Sequence, residues 1–173
     1  MNILSGLYPK QWNLITLPRP DTHNLLAAIA FLAGSFSLTV LDCGRQYDSS
    51  MVARAAHGRK EVIDRIKVQR AFICSEAVKL IKQTPAGNTP VIVLDFLSTF
   101  HDKNVRINLR KFLLEQSLEH FQRLSLGAGL AVMVHPPPAS PDSLYLFRRL
   151  QSSASRVSTH ETPSPGSQQL SMF

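Results

Sequence analysis

The sequence predicts an α/β fold in which a mostly parallel central sheet is covered by helices on both faces. Two apolar runs rich in β-branched residues, VIVL at 91–94 and LAVMV at 130–134, contain no polar residue. Such runs are typical of strands that are buried on both faces. Segments with helical periodicity separate these and other short strand-like runs, and strands that alternate with helices form parallel sheets.

The elements alternate along the chain from residue 13 to residue 160. The segment at 22–33 is apolar nearly all round, which predicts a buried helix. In the long helix at 104–126, Leu114, Leu118 and Phe121 recur at helical spacing. The predicted strands are 13–17, 36–41, 65–72, 91–94, 130–134 and an edge strand at 154–160, and the predicted helices are 22–33, 48–57, 75–82, 104–126 and 144–150.

The composition indicates one globular domain and a short tail. The chain has 173 residues, of which 44% are hydrophobic. Residues 162–173 are rich in Pro and Ser and carry no charge, so we expect a domain at 1–161 and a disordered tail at 162–173. No apolar run approaches the roughly 20 residues that span a bilayer, and Cys43 and Cys74 suggest buried thiols. We therefore expect a cytoplasmic protein with no membrane partner.

The positive charge of the chain favours a polyanionic partner. The formal net charge is +7 at pH 7, and six Arg and Lys residues crowd residues 54–70. Lys103, Arg106 and Arg110 share one face if their segment is helical. DNA is therefore a candidate partner, and a solvated surface is the alternative. The candidate phosphate contacts are Arg59, Lys60, Lys103, Arg106 and Arg110.

The stretch LPRPDTHN stands between the first strand and the first helix, where a phosphate-binding loop of the form G-x-x-x-x-G-K-[ST] would lie. Its two prolines lack an N–H donor, its glycine positions hold Leu and Thr, and its lysine position holds a neutral His. Asp21 is expected to cap the following helix with its own carboxylate, in the place of a phosphate. The residues of this degenerate nucleotide loop are Leu17, Pro18, Arg19, Pro20, Asp21, Thr22, His23 and Asn24.

Three later stretches resemble RecA-type recombinases. The stretch VIVLDFLSTF, residues 91–100, is similar to the magnesium-holding strand of that family, with an aspartate after four apolar residues. RLSLGAGLAVMVHPPP resembles the run from a helix into the strand that bears the polar sensor residue. TVLDCGRQYDSSMVARAA resembles the second strand and its helix, where the family places a catalytic glutamate. The resemblance covers about residues 12–160 and implies a RecA-like, P-loop-type fold.

Little of the chemistry of the family carries over to this chain. Asp95 matches the metal-binding aspartate and is the candidate metal ligand; the alternative is a carboxylate that caps the following turn. The glutamate position falls near Gly44, and the sensor position falls in residues 135–137, where there is no glutamine. The resemblance therefore implies a pseudo-ATPase that has no catalytic residues and needs no cofactor.

Three histidines, His23, His101 and His135, stand close to the predicted carboxyl ends of strands, where open α/β folds bind their ligands. If they converge near Asp95, they could bind a metal ion. No pair of histidines has the HxxxH or HExxH spacing of a zinc site.

The chain ends with QLSMF, which resembles the pentapeptide that docks bacterial DNA polymerases and repair proteins on the replication sliding clamp. In this comparison Gln169 offers amide hydrogen bonds, Ser171 fills a small-residue position, and Leu170, Met172 and Phe173 are apolar anchors. Three large apolar residues on a polar tail predict a partner that buries them. A chance match in a frayed tail is the alternative.

The resemblance and the tail predict a non-catalytic accessory protein of bacterial DNA repair or damage tolerance, in translesion synthesis or recombination. Its partners would be the sliding clamp and a DNA polymerase or RecA-family protein, and ImuA-type proteins have a similar design. Two alternatives remain open. A SulA-like inhibitor of cell division would bind the tubulin-like division protein and would not need the tail, whereas an active DNA-dependent ATPase with an unconventional site would bind ATP.

Overall fold

The computed structural model describes Leu4, Leu7 and residues 9–160. Six strands form one sheet in the order β3-β2-β4-β5-β1-β6, and each neighbouring pair is parallel. The predicted α/β class with a parallel central sheet is therefore confirmed. The strands are β1 (Trp12–Thr16), β2 (Leu38–Asp42), β3 (Ile66–Arg70), β4 (Val91–Leu94), β5 (Leu130–Val134) and β6 (Arg156–Thr159).

Helices connect the strands, and two short 3₁₀ turns follow β1 and β4. The turns are Arg19–Asp21 and Phe96–His101. The helices are α1 (Thr22–Ala33), α2 (Ser49–Ala55), α3 (Lys60–Ile63), α4 (Cys74–Gln83), α5 (Ile107–Ser125) and α6 (Pro141–Ser153).

The helices cover both faces of the sheet, and each layer closes its own core. On one face, α1, α2 and α3 pack against strand residues such as Ile15 and Met133. On the other face, α4, α5 and α6 pack against residues such as Leu14 and Val132. Phe121 of α5 joins this second core, with its ring centroid 5.3 Å from that of Trp12. Burial on both faces explains why β4 and β5 contain only apolar residues.

Most element boundaries lie within a few residues of the predicted ones. Helix α6 begins at Pro141, earlier than predicted, because the Ser140 hydroxyl accepts the N–H of Ser143 and proline suits the first helical turn. Helix α5 begins at Ile107, so Lys103 and Arg106 precede it. The single-turn helix α3 is absent from the predicted elements.

Helix α1 is less buried than its composition predicts. Leu25, Leu26 and Ile29 face the sheet, but the side chain of Phe31 is 74% exposed. The prediction of a helix buried all round is wrong because α1 lies in an outer layer, and only one side of it meets the sheet.

The two cysteines are buried free thiols, as the sequence predicts. Burial, together with the nearby carboxylates of Asp42 and Asp95, raises the pKa of Cys43 to about 12. The Cys43 thiol is therefore uncharged at neutral pH and serves as a small apolar core residue.

None of the helices in the described part of the chain is long and apolar enough to cross a membrane. The predicted tail at 162–173, including the candidate clamp-binding residues 169–173, lies outside the described residues.

Candidate functional site

The segment after β1 folds into a compact turn at the carboxyl edge of the sheet. The N–H of Leu17 donates to the Val134 carbonyl over 2.9 Å, which ties the end of β1 to β5. The N–H of Asp21 donates to the Pro18 carbonyl, and the N–H of Thr22 donates to the Arg19 carbonyl. These N–H groups are therefore turned inward to backbone acceptors and are not arranged around an anion.

Two side chains make additional hydrogen bonds within the same turn. The Thr22 hydroxyl donates to the Arg19 carbonyl over 2.9 Å, and Nδ1 of His23 lies 2.8 Å from the Pro20 carbonyl oxygen. His23, which occupies the lysine position of a phosphate loop, is thus bonded within its own turn.

The expectation that Asp21 caps α1 is wrong. Asp21 precedes the helix, but its side chain accepts no hydrogen bond from the helix start. A capping residue normally has extended backbone geometry, whereas Asp21 has φ −90° and ψ 3° because it ends the 3₁₀ turn. The turn itself leads directly into α1.

Asp42, at the end of β2, organises the next loop, a role that the sequence does not predict. Its carboxylate is buried and accepts the N–H groups of Gly44 (3.2 Å), Gln46 (2.9 Å) and Tyr47 (2.9 Å). Arg70 of β3 lies 3.6 Å from the same carboxylate. The sequence signal is a lone carboxylate at the end of an apolar strand, followed by a glycine and a polar turn.

Gly44 lies directly against the side chain of Asp95. A Cβ atom at Gly44 would collide with the Asp95 carboxyl group, so no larger residue fits without a rearrangement. The position that matches the catalytic glutamate of the family therefore faces a space that Asp95 already fills.

Asp95 follows β4 and is 3% exposed. Its backbone is left-handed, with φ 51°, and its side chain caps no turn, so the expectation that it caps the following turn is wrong. The carboxylate points instead to Gln46, whose Nε2 is 3.4 Å away, and to His135, whose Nε2 is 3.8 Å away. Burial raises the pKa of the Asp95 carboxyl group, while His135 and Arg19 act in the opposite direction.

His135 connects Asp95 to the turn after β1. Its Nδ1 lies 2.7 Å from the Leu17 carbonyl oxygen, and because a carbonyl can only accept, Nδ1 carries the proton. The other ring nitrogen, Nε2, is buried, faces Asp95 and has no hydrogen-bond partner in the described part of the chain.

The three histidines do not converge. Nδ1 of His101 lies 3.0 Å from the Ser143 hydroxyl, and burial and the nearby Arg110 lower the pKa of His101. His23 is exposed, and only His135 faces Asp95. Among the described residues, no group of three or more His, Cys, Asp or Glu side chains could hold a metal ion, so the candidate metal ligand Asp95 lacks suitable neighbours of these types.

The candidate DNA-binding residues divide into exposed and structural groups. Lys103 and Arg106 are exposed in the turn before α5. Arg110 is 5% exposed, and its guanidinium donates to the carbonyls of Val105 and Phe100. The prediction of a shared exposed face is wrong for Arg110, because helical spacing does not tell which side of a helix faces the core.

The basic cluster at 54–70 is also partly structural. Arg59 and Lys60 are exposed, but Nε of Arg59 donates to the Ala56 carbonyl over 3.1 Å. Arg65 donates to the carbonyls of residues 33 and 34 at the end of α1, and Arg70 donates to the Tyr47 carbonyl. Much of the positive charge in this cluster therefore stabilises loops and helix ends.

Comparison with known proteins gives information about the fold. No family model matches the chain, and no curated protein matches its sequence. A solved structure described as the crystal structure of the RadB recombinase matches with a TM-score of 0.67 and 14% sequence identity, over 93% of this chain and 79% of that one. The parallel six-stranded sheet, its two helical layers and this match show that the chain has a RecA-like α/β fold.

Proposed function

We propose that this chain is a non-catalytic RecA-fold accessory protein of DNA repair or damage tolerance, which acts by binding partner proteins. The observation that carries the non-catalytic part is the packing of Asp95 against Gly44. The similarity in fold to a structure described as a recombinase is consistent with a role alongside recombination or repair proteins. The tail that resembles a clamp-docking motif gives such a protein a route to the replication machinery.

A magnesium nucleotide, which this fold class implies, does not suit the described residues. The turn after β1 contains two prolines without N–H groups, and the N–H groups of Leu17, Asp21 and Thr22 are bonded to backbone carbonyls. The lysine position holds His23, which is bonded to Pro20. Asp95 is buried against Gly44, and no other carboxylate stands at the glutamate position. These observations support the pseudo-ATPase proposal, and titration with magnesium ATP tests it.

The partner-binding part of the proposal is tested with the tail alone. A peptide of residues 164–173 is expected to bind a bacterial sliding clamp, because its apolar anchors are contiguous and need no fold. A dissociation constant in the micromolar range corresponds to roughly 8 kcal/mol, which three apolar side chains and one amide can supply after the cost of ordering. Fluorescence anisotropy with a labelled peptide measures this binding.

The control for the tail is the double substitution Gln169→Ala and Phe173→Ala, which removes the polar anchor and one aromatic anchor. Binding to the clamp should fall by more than about tenfold, while the Tm of the full chain stays unchanged. Equal binding by the double variant would show that the resemblance to a clamp motif is accidental.

A further inference from the structure

Four large apolar side chains are exposed where α4 and α5 begin. Phe72 and Ile73 directly precede α4 and are 57% and 50% exposed, and Leu109 and Phe112, in the first two turns of α5, are 50% and 58% exposed. We call these four residues the apolar patch. They make up four of the nine large hydrophobic side chains that are exposed in the described part of the chain. Such a concentration marks a surface that another molecule covers.

The beginnings of these two helices are neighbours in space. Helix α4 packs beside α5 on one face of the sheet. Both helices return from the carboxyl edge of an all-parallel sheet and so run in the same direction, and Arg123 near the end of α5 donates to the Ile81 and Lys82 carbonyls at the end of α4. Phe72 also lines a cleft of about 370 Å³ together with Thr99 and Asp102, in the segment that leads to α5. Of the apolar patch, Phe72 therefore borders an open cleft at the carboxyl edge of the sheet, beside the segment that leads to α5.

Three exposed positive charges lie in or beside the segments that carry the apolar patch. The guanidinium carbon of Arg45 lies 5.2 Å from the centroid of the Phe72 ring, and Arg45 is itself exposed. Lys103 and Arg106 are exposed in the turn that leads into α5. We call these three residues the cationic rim.

The two carboxylates in the same segments are already engaged. Glu76 accepts the N–H of Phe72 over 2.9 Å, and Asp102 accepts the N–H of Asn104 over 2.9 Å. Each is thus held within its own turn but keeps its negative charge, and the three positive charges of the cationic rim outnumber these two.

The same charges disfavour a second copy of this chain as the occupant. In a two-fold dimer the same surface meets itself, so the cationic rims would face each other, and like charges across an interface are costly. The formal net charge of +7 on each copy adds to this repulsion. An occupant with acidic side chains has the complementary charge.

We propose that the apolar patch and its cationic rim form the docking site for an acidic, amphipathic segment of a partner protein. The apolar side chains of that segment would cover the patch, and its carboxylates would lie beside the rim, as when an amphipathic helix binds in a groove. This inference rests on the partner-binding function proposed above and defines the chemistry of one partner.

The probe is a random 16-residue peptide library displayed on phage and selected on the full chain. Selected peptides are expected to be rich in acidic and large apolar residues. Their affinity, measured by fluorescence anisotropy, should fall by more than about tenfold in the Phe72→Ser, Phe112→Ser double variant. Phe31→Ser is the control, because Phe31 is more exposed than Phe72 and Phe112 but belongs to α1 on the other face of the sheet. It should bind as the original chain does.

A second variant keeps the test valid if the double variant folds poorly. Arg45→Glu changes only an exposed side chain and should also weaken binding of the acidic peptides. The Gln169→Ala, Phe173→Ala tail variant should still bind the acidic peptides. The test of the apolar patch is therefore independent of the test of the tail.

Four results would overturn the proposal. The first is that the library yields no enriched peptides, and the second is that the selected peptides bind the patch variants and the original chain equally. The third is that sedimentation detects a dimer that dissociates in the Phe112→Ser variant, which would make a second copy of the chain the occupant. The fourth is that a labelled oligothymidine binds the original chain but not the Phe72→Ser variant, which would make single-stranded DNA the occupant.

Discussion

At the scale of single residues, Gly44 and Asp95 share one space. The absence of a Cβ at Gly44 leaves room for the Asp95 carboxyl group, which then reaches Gln46 and His135. In this way the loop after β2 and the end of β4 are joined by the side chains of the protein itself. The arrangement needs both a small residue at position 44 and a short acidic one at position 95.

A double-mutant cycle tests whether the residues at positions 44 and 95 compete for the same space. Gly44→Ala should lower the free energy of unfolding by about 1–3 kcal/mol, because an added methyl group in a packed site forces a shift. The same change in an Asp95→Gly background should cost much less, since the space is then free and glycine accepts the positive φ of position 95. Urea unfolding gives all four values. Additive effects would show that the two residues do not compete.

The sequence alone finds some of these residues and misses their roles. Asp95 and Gly44 stand out through the family resemblance, but their contact joins residues 51 positions apart, which no local pattern encodes. The bond of His135 to Leu17 depends on β1 lying beside β5. Helical spacing predicts that Arg110 lies on the same side as Arg106, but it does not tell that this side of α5 faces the core, where Arg110 is buried.

At the scale of elements, two aspartates at helix starts behave differently. Asp48, before α2, has extended backbone geometry, and its carboxylate accepts the N–H groups of Ser50 and Met51. Asp21, before α1, ends a 3₁₀ turn and makes no such bond. The residue type is the same, so the preceding backbone decides which of them caps a helix.

Thermal unfolding of two alanine variants tests this difference. Asp48→Ala should lower the Tm of the chain, because the first turn of α2 loses its acceptor. Asp21→Ala should leave the Tm nearly unchanged. The reverse order would mean that the carboxylate of Asp21 reaches α1 in solution.

The effect of Asp48 should depend on pH. Hydrogen bonds from the N–H groups of Met51 and Ser50 hold the pKa of the Asp48 carboxyl group below its ordinary value of 3.8. Ionised Asp48 therefore stabilises the folded state fully above pH 3.8, and its contribution is lost as the pH falls through the lower folded pKa. The Tm difference between the original chain and Asp48→Ala should shrink in the same range.

At the scale of the whole molecule, the sequence predicts the architecture better than the surfaces. Continuous apolar strands and regular alternation with helices specify a parallel sheet with two helical layers, and the structure has both. Surfaces depend on how these elements pack, so the exposure of Phe31 and of the apolar patch is not apparent from periodicity.

DNA binding by the exposed positive charges is a prediction, and its salt dependence tests it. Replacing Lys103 and Arg106 with alanine should weaken non-specific binding and reduce the slope of log affinity against log salt by about two, if each contacts one phosphate. Arg59→Ala with Lys60→Ala is the comparison pair on the other layer. An unchanged slope in both pairs would assign these charges to solvation.

The central claim is that this RecA-like fold has no nucleotide site, because the N–H groups of the turn after β1 are bonded to backbone carbonyls and Asp95 packs against Gly44. Isothermal titration of the full chain with magnesium ATP tests it most directly, with His23→Lys as a second sample, because that change restores the charge at the lysine position and leaves Gly44 and Asp95 in place. We predict no saturable heat of binding for either protein. Saturable binding in the micromolar range by the original chain would contradict the claim.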